Sequence, residues 1–204
     1  DVYKRQYYEK NKIFILSQLT KLRQICCHPA LCYDDYQGSS AKLEACMELV
    51  QRAVKGKHKV LLFSQFTSML DLIRERLAEQ NTKYYCLTGN TDKQERQRLV
   101  DEFQNDDTPV FLISLKAGGT GLNLTAADIV IHYDPWWNVA AQNQATDRAH
   151  RIGQKNTVTV YRLIAKDSLE EGIIKLQESK KALSDDILSM DFGAICLLYT
   201  SDAA

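Results

Sequence analysis

The sequence has 204 residues, of which 45% are hydrophobic and 25% are charged, with 26 basic and 26 acidic side chains. This length and composition are typical of one globular domain with short extensions, and they exclude a disordered, collagen-like or coiled-coil chain. A formal charge of zero does not indicate a globally basic nucleic-acid-binding protein, and no apolar run approaches the roughly 18 residues of a transmembrane helix, so we expect no membrane partner.

Two helices are predicted before any strand. Apolar residues at helical spacing predict a helix over residues 8–26, which ends before His28-Pro29 because the position before a proline disfavours helical backbone. The polar residues 34–40 predict a turn or linker. Residues 42–55 again show helical spacing, and Gly56 follows as the expected C-cap.

Strands and helices alternate from residue 60 onward. Short apolar runs predict five strands, and amphipathic spacing predicts four helices. The strands are expected at 60–63, 84–87, 110–113, 129–133 and 158–164, and the helices at 67–80, 91–104, 138–151 and 168–188. This alternation is typical of a mainly parallel sheet covered by helices on both faces, so we predict an α/β fold.

Small polar residues follow four of the predicted strands. The segments are Ser64-Gln65-Phe66, Thr88-Gly89-Asn90, residues 114–121 and residues 134–138. Open α/β sheets bind ligands at the carboxyl ends of their strands, and the hydroxyl and backbone N–H groups of such loops suit phosphates. The simpler alternative is that these residues only form turns.

Gly119-Thr120-Gly121 resembles the start of the dinucleotide-binding pattern GxGxxG. Leu124 stands where the third glycine is needed, and no acidic residue lies about twenty positions further on. A dinucleotide-dependent oxidoreductase is therefore possible but disfavoured.

The segment QATDRAHRIGQ, from Gln144 to Gln154, contains a second candidate site. Gln144, Asp147, Arg148 and Arg151 fall at i, i+3, i+4 and i+7, which predicts one polar stripe on a helix. Two arginines beside an aspartate can place planar donors on a phosphate. The alternative is an ordinary solvated face.

Trp136 and Trp137 are adjacent in the loop that follows a predicted strand. Two neighbouring tryptophans in a loop are seldom both fully buried, so we expect one to anchor the loop and the other to reach a partner.

The six cysteines are irregularly spaced, and we expect reduced thiols. A zinc site formed by Cys26, Cys27, His28 and Cys32 is the alternative. These residues are too crowded and lack a second half elsewhere, so no metal site is predicted.

Several of these segments together resemble a known family. The run SLKAGGTGLNLTAADIVIHYDPWWN, from Ser114 to Asn138, followed by QATDRAHRIGQ, is similar to the C-terminal RecA-like lobe of Swi/Snf-type DNA-dependent ATPases of helicase superfamily two. The similarity extends to LRQICCHPAL, LLFSQF, YYCLTGNTDKQER and VYRLIAKDSLEEGIIKLQESKKAL, and covers about residues 22–191. Val139 departs from the proline that is common there. The resemblance implies a RecA-like three-layer sandwich with a mainly parallel sheet.

The resemblance also implies roles for individual residues. Arg148 and Arg151 correspond to arginine fingers that reach the γ-phosphate of ATP. The other positions expected on the ATP side are Gly119, Thr120, Gly121, Gln144 and Asp147. The positions expected to face DNA, including a lysine added because it shares the same sheet edge, are Ser64, Gln65, Thr88, Gly89, Lys116 and Trp136.

The family's ATP site lies between two lobes, and the first lobe supplies the P-loop and the DExH acids. This sequence has no GxxxxGK[ST] and no DExH box. We therefore expect the N-terminal RecA-like lobe of the same polypeptide and double-stranded DNA as partners, ATP with Mg²⁺ held mainly by that first lobe, and no ATP hydrolysis by this chain alone. The predicted function is the second ATPase lobe of a double-stranded DNA translocase similar to chromatin remodellers; the alternative is a non-catalytic nucleic-acid-binding or regulatory module with a helicase-like fold.

The chain is expected to divide into four parts. These are a lead-in helix and linker at 1–40, the RecA-like lobe at 41–166, a bracing helix at 167–191 and a tail at 192–204. The tail and residues 1–6 fit the pattern poorly, and we expect both to be non-native. The expected location is the cytoplasm of a bacterium or the nucleus of a eukaryote.

Overall fold

A computed structural model describes the backbone of residues 2–118, 122–150, 154 and 156–189, and the side chains of residues 11–117, 122–150, 154 and 156–180. The sequence predictions for Gly119, Thr120, Gly121, Arg151 and the tail 192–204 lie outside these described residues.

The five predicted strands form one sheet. They are β1 (Val60–Ser64), β2 (Tyr84–Leu87), β3 (Val110–Ser114), β4 (Ile129–His132) and β5 (Thr159–Arg162). Their order is β2-β3-β1-β4-β5, and every neighbouring pair is parallel. The predicted parallel α/β architecture is therefore confirmed.

Seven α-helices accompany the sheet in the described part of the chain. They are α1 (Val2–Cys27), α2 (Ala41–Lys55), α3 (Thr67–Glu79), α4 (Lys93–Asn105), α5 (Leu115–Gly118), α6 (Val139–Thr146) and α7 (Leu169–Ser189), with a short 3₁₀ helix at Pro29–Leu31. The sequence predicted neither α5 nor the 3₁₀ helix, because each is a single turn and too short to show a periodic pattern.

Side-chain caps define several helix starts. The hydroxyl of Ser40 accepts a hydrogen bond from the backbone N–H of Leu43, and Asp92 accepts one from Glu95. Each cap satisfies a donor that has no partner inside the helix. The predicted C-cap Gly56 is confirmed, although the left-handed backbone at this helix end belongs to Lys57, with φ of 60°.

Two apolar cores lie on opposite faces of the sheet. In β1, Leu62 packs into a core with α2 and α3, whereas its neighbours Leu61 and Phe63 pack into a core with α4 and α6. Successive side chains of a strand point to opposite faces. Every residue of β1 and β3 is buried, which explains their continuous apolar sequence and gives three layers.

Among the described side chains of α1, residues 11–27, the buried ones lie in the C-terminal part of the helix. Arg23 and Cys27 are buried, whereas Ile13 and Leu16 are 66% and 54% exposed. The apolar period of the sequence therefore predicted the helix, but not which part of it packs.

Candidate functional site

The carboxyl ends of the central strands form the edge that the sequence indicated. Ser64 at the end of β1 pairs with Ser114 at the end of β3, and Phe63 pairs with His132 at the end of β4. Leu87, the last residue of β2, pairs with Ile113. The loops after β1, β2, β3 and β4 therefore begin along one edge, which we call the carboxyl edge.

Asp134 organises the loop after β1. The hydroxyl of Ser64 donates to its carboxylate at 2.6 Å, and the backbone N–H of Gln65 donates to it at 3.2 Å. Ser64 is fully buried and also accepts from the backbone N–H of Phe66 at 3.2 Å. The hydroxyl of Ser64, which was predicted to face DNA, is therefore buried and holds the loop through hydrogen bonds. Gln65 is half-buried and lies nearer the surface.

The carboxyl of Asp134 is buried, and burial raises its pKa to about 6. The hydrogen bond from Ser64 and the cations of Lys42 and Arg23 oppose this increase because they favour the ionised form. The nearest guanidinium nitrogen of Arg23 lies 4.0 Å from the Asp134 carboxylate.

Two more of the predicted DNA-facing positions are open to solvent. Gly89 is exposed, and a side chain added there would meet nothing within 4 Å. Lys116 is exposed on α5, directly after β3. Thr88 is half-buried, and its backbone N–H donates to the hydroxyl of Thr91 at 3.1 Å. The turn after β2 and helix α5 therefore offer accessible groups beside the edge.

The two tryptophans have different surroundings. Trp136 is half-buried against the core that includes α4 and α6, and its backbone N–H donates to the side chain of Gln142 at 3.3 Å. Trp137 is 38% exposed, and the guanidinium of Arg23 lies 5.4 Å from its ring centre. One tryptophan anchors the loop and the other points outward, as expected. The outward one is Trp137, whereas the resemblance indicated Trp136, and no signal in the sequence distinguishes the two.

Helix α6 is shorter than the predicted helix over 138–151. It ends at Thr146, where the backbone N–H groups of Arg148 and Ala149 donate to carbonyls three positions back. This tighter turn is stabilised from outside, because the backbone N–H of Leu124 donates to the carbonyl of Arg148 at 3.0 Å. The prediction of one regular helix is therefore wrong after Thr146.

The shorter helix separates the predicted polar stripe. Gln144 and Asp147 are exposed, whereas Arg148 is only 2% exposed. The structure thus brings the backbone of Arg148 against Leu124 but does not place Arg148 on the same open face as Gln144.

His132 connects β4 to the end of α6. Its Nε2 lies 2.9 Å from the hydroxyl of Thr146, which itself donates to the carbonyl of Gln142. We therefore assign the proton to Nε2, and Nδ1 has no hydrogen-bond partner among the described residues. Burial lowers the pKa of His132 to about 4, so the ring is neutral at pH 7.

The zinc alternative finds no support. The Sγ of Cys32 donates to the carbonyl of Lys21 at 3.6 Å, and His28 Nδ1 accepts from the backbone N–H of Ala30. Within the described ranges, no three His, Cys, Asp or Glu side chains group closely enough to hold a metal ion. No helix in the same part of the chain is long and apolar enough to cross a membrane.

Comparison with known sequences gives a consistent result. Residues 41–153 match the family described as the helicase conserved C-terminal domain. The chain is 45% identical over 189 residues to the putative ATP-dependent helicase/translocase YwqA of Bacillus subtilis, covering 89% of this chain and 20% of that protein. It is 45% identical over 151 residues to the human chromatin-remodeling ATPase INO80, covering 74% of this chain and 10% of that protein. The chain thus spans a fifth or less of the length of these relatives.

Solved structures share the fold. The Sulfolobus solfataricus SWI2/SNF2 ATPase C-terminal domain superposes with a TM-score of 0.71 at 38% identity, covering 90% of this chain and 76% of that one. The SWI2/SNF2 ATPase core of the same organism in complex with dsDNA gives 0.73 at 40% identity, covering 88% of this chain and 38% of that one. The predicted RecA-like fold is thereby confirmed.

Proposed function

Because this chain belongs to the family of helicase conserved C-terminal domains, and within it to the SWI2/SNF2 type, we propose that it is the second ATPase lobe of an ATP-dependent translocase on double-stranded DNA. The observation that carries the proposal is the similarity to a SWI2/SNF2 core in complex with dsDNA, at 40% identity over 88% of this chain. Such an enzyme would act in a bacterial cytoplasm or a eukaryotic nucleus.

The carboxyl edge is the proposed DNA side. Gly89 and Lys116 are exposed there, and Thr88, which directly follows β2, is half-buried. The side-chain Nε2 of Gln65 is buried and has no hydrogen-bond partner among the described residues, so it would reach a phosphate only after the side chain turns outward. Contacts of this kind fix the position of a duplex without reading its sequence. Ser64 supports the loop, and Trp136 anchors the outward Trp137.

The proposed nucleotide side combines the C-terminal end of α6 with Gly119, Thr120 and Gly121. The exposed amide of Gln144 and the exposed carboxylate of Asp147 fit a contact made across a cleft, because both lie on the surface near the end of β4. We assign Gly119, Thr120 and Gly121 to the link between nucleotide and DNA, and Arg148 and Arg151 to the arginine fingers. When bound with ATP, Mg²⁺ neutralises charge on the phosphates; the first lobe would hold it.

The buried position of Arg148 constrains how it would act. Its guanidinium lies inside this lobe, so it would stabilise transferring charge only where the closed first lobe brings the phosphate to it. Closure of two lobes on ATP and their opening after hydrolysis would move two DNA-binding surfaces relative to each other, which produces translocation.

Duplex binding by the chain itself tests the DNA side. We expect weak binding that tolerates any sequence and weakens with salt, because one lobe makes only part of the contacts. Fluorescence anisotropy of labelled duplexes at two salt concentrations measures this. Lys116→Ala should weaken binding and reduce the salt slope by about one, the effect of one lost phosphate contact.

Lys55→Ala is the matched control, because Lys55 is also exposed but ends α2, the helix that leads into the opposite end of β1. Tight binding that ignores salt, strong preference for one sequence, or equal effects of the two lysine variants would contradict the proposed interface.

A further inference from the structure

Residues 134–137, which we call the tryptophan loop, are held by two helices that lie outside the matched family domain. That domain spans residues 41–153. Arg23 reaches the loop from α1, and Gln177 reaches it from α7. Both side chains are buried, with exposed fractions of 6% and 7%, so both contacts are made inside the protein.

Arg23 contacts the tryptophan loop in three ways. One guanidinium nitrogen donates to the carbonyl of Pro135 at 2.7 Å and lies 4.0 Å from the carboxylate of Asp134. The guanidinium also lies 5.4 Å from the ring centre of Trp137 and 5.7 Å from that of Phe66. Phe66 belongs to the loop after β1, so one side chain joins two loops of the carboxyl edge.

Gln177 binds the next residue of the tryptophan loop, Trp136. Its side-chain amide donates to the carbonyl of Trp136, while the N–H of Trp136 donates to Gln142. The carbonyls of two successive loop residues are therefore bound by side chains from α1 and α7. These two helices also contact each other.

We propose that Arg23 and Gln177 are positioning residues that hold the tryptophan loop, and with it the outward ring of Trp137, in the geometry that contacts DNA. This inference rests on the proposed function, because it assigns the loop to the DNA side. A loop whose backbone is fixed before binding loses less conformational entropy when it binds, which increases affinity. Neither residue touches the proposed ligand; each acts through the loop.

Tryptophan fluorescence isolates this loop. The whole sequence contains two tryptophans, Trp136 and Trp137, so intrinsic emission and its quenching by acrylamide report on the loop alone. Arg23→Met keeps an unbranched apolar stem, which ends about where Nε of the arginine lies, and removes the donor and the cation. We expect a red-shifted emission and stronger quenching, together with about tenfold weaker duplex binding, which corresponds to about 1.4 kcal/mol.

Arg23→Lys should restore duplex binding only in part, since an ammonium cannot donate to Pro135 and also stack on two rings as a planar guanidinium does. Arg52→Met is the matched control, because Arg52 is 76% exposed on α2 and pairs only with Glu48 among the described residues. It should leave quenching and duplex binding unchanged.

Gln177→Leu tests the second contact, with Glu178→Leu on an exposed neighbouring position of α7 as its control. Stronger quenching and weaker duplex binding for Gln177→Leu alone support the proposal. Unchanged quenching in both Arg23→Met and Gln177→Leu would overturn it. If circular dichroism shows that Arg23→Met is unfolded, the quenching and duplex binding of Arg23→Lys and Gln177→Leu test the proposal instead.

The two proposals fail separately. A parent chain that does not bind duplex DNA would contradict the proposed function, and quenching would still decide whether Arg23 and Gln177 hold the loop. A parent that binds DNA, with variants that change quenching but leave duplex affinity equal to the parent, would overturn the assigned role of both residues.

Discussion

His132 ends β4 and Asp134 follows two positions later, and burial shifts their pKa values in opposite directions. The pKa of Asp134 rises to about 6, whereas that of His132 falls to about 4. Between these values the folded state holds a proton on Asp134 that the unfolded chain releases. It also keeps His132 neutral where the unfolded chain protonates it. The two residues therefore have opposite effects on the pH dependence of stability.

The effects can be separated by single substitutions. From pH 4 to 6, Asp134 makes the fold less stable as pH rises, and His132 makes it more stable, each by up to about 3 kcal/mol. Relative to the parent, Asp134→Asn should therefore gain stability as pH rises through this range. His132→Gln, whose amide can still donate to Thr146, should lose stability relative to the parent over the same pH range.

Urea unfolding at several pH values from 4 to 7 measures both differences against the parent. Variant and parent stabilities that stay parallel across this range would show that neither residue titrates as described.

Arg148 and Arg151 are tested in a hybrid enzyme, in which this chain replaces the matching segment of the Bacillus subtilis relative. Replacing a true arginine finger by alanine should reduce DNA-stimulated ATP hydrolysis roughly 10³–10⁵-fold. Lysine should rescue poorly, because it lacks the planar pair of donors.

Duplex binding and thermal unfolding serve as controls, which matter most for Arg148 because it is buried. If an alanine variant keeps its ATPase rate within about threefold of the parent, less than roughly 1 kcal/mol of barrier, that arginine is not a finger. Loss of folding with Arg148→Ala but full activity with Arg148→Lys would assign it a structural role instead.

At the scale of elements, a buried ion pair attaches α7 to the lobe. The ammonium of Lys42, on α2, lies 2.6 Å from both carboxylate oxygens of Glu170, and the two side chains are 7% and 1% exposed. Glu170 also accepts from the backbone N–H of Ala165 at 2.7 Å, which fixes the connection from β5 to α7. Because Gln177 lies further along α7, this pair also supports the tryptophan loop.

Removing one partner of the ion pair should reduce the free energy of unfolding far more than replacing both partners by apolar residues. Lys42→Ala leaves a buried carboxylate without its cation, which typically destabilises a protein by about 3–5 kcal/mol, whereas replacing both partners by apolar residues is often close to neutral. We therefore expect Lys42→Ala to be much less stable than the double variant Lys42→Met with Glu170→Leu.

Guanidinium unfolding of the variants measures this, with Lys55→Ala as an exposed control. A Lys42→Ala variant that loses less than about 1 kcal/mol would show that the ion pair does not hold α7.

Elements with a local signal were predicted well from sequence. Helix α3 was expected over 67–80 and spans Thr67–Glu79, and β2 was expected and found at the same four residues. The helix predicted over 138–151 is found at Val139–Thr146, because the hydrogen bond between Leu124 and Arg148 that stabilises its end comes from a distant segment. The helical spacing of apolar residues gives no information about a hydrogen bond to a distant segment.

The candidate site was predictable only where strand ends define it. The carboxyl edge follows from strand order, since parallel strands place their ends together. The supports of the tryptophan loop do not follow, because Arg23 lies 112 positions from Pro135 and Gln177 lies 41 positions from Trp136. Whether Trp136 or Trp137 faces outward also depends on those supports.

At the scale of the whole molecule, we propose that this lobe supplies half of an ATPase. The sequence contains no P-loop and no DExH box, and the fold is that of a SWI2/SNF2 C-terminal domain. An ATP site that forms between two lobes needs groups from both, so activity should require a first lobe and should respond to duplex DNA.

The most direct measurement is ATP turnover with and without duplex DNA, by this chain alone and by the hybrid enzyme. We expect negligible turnover by the chain alone and DNA-stimulated turnover by the hybrid. Turnover by the chain alone on the order of one per second or faster, or a folded hybrid that binds DNA but gains no ATPase activity from it, would contradict the proposed role of this lobe.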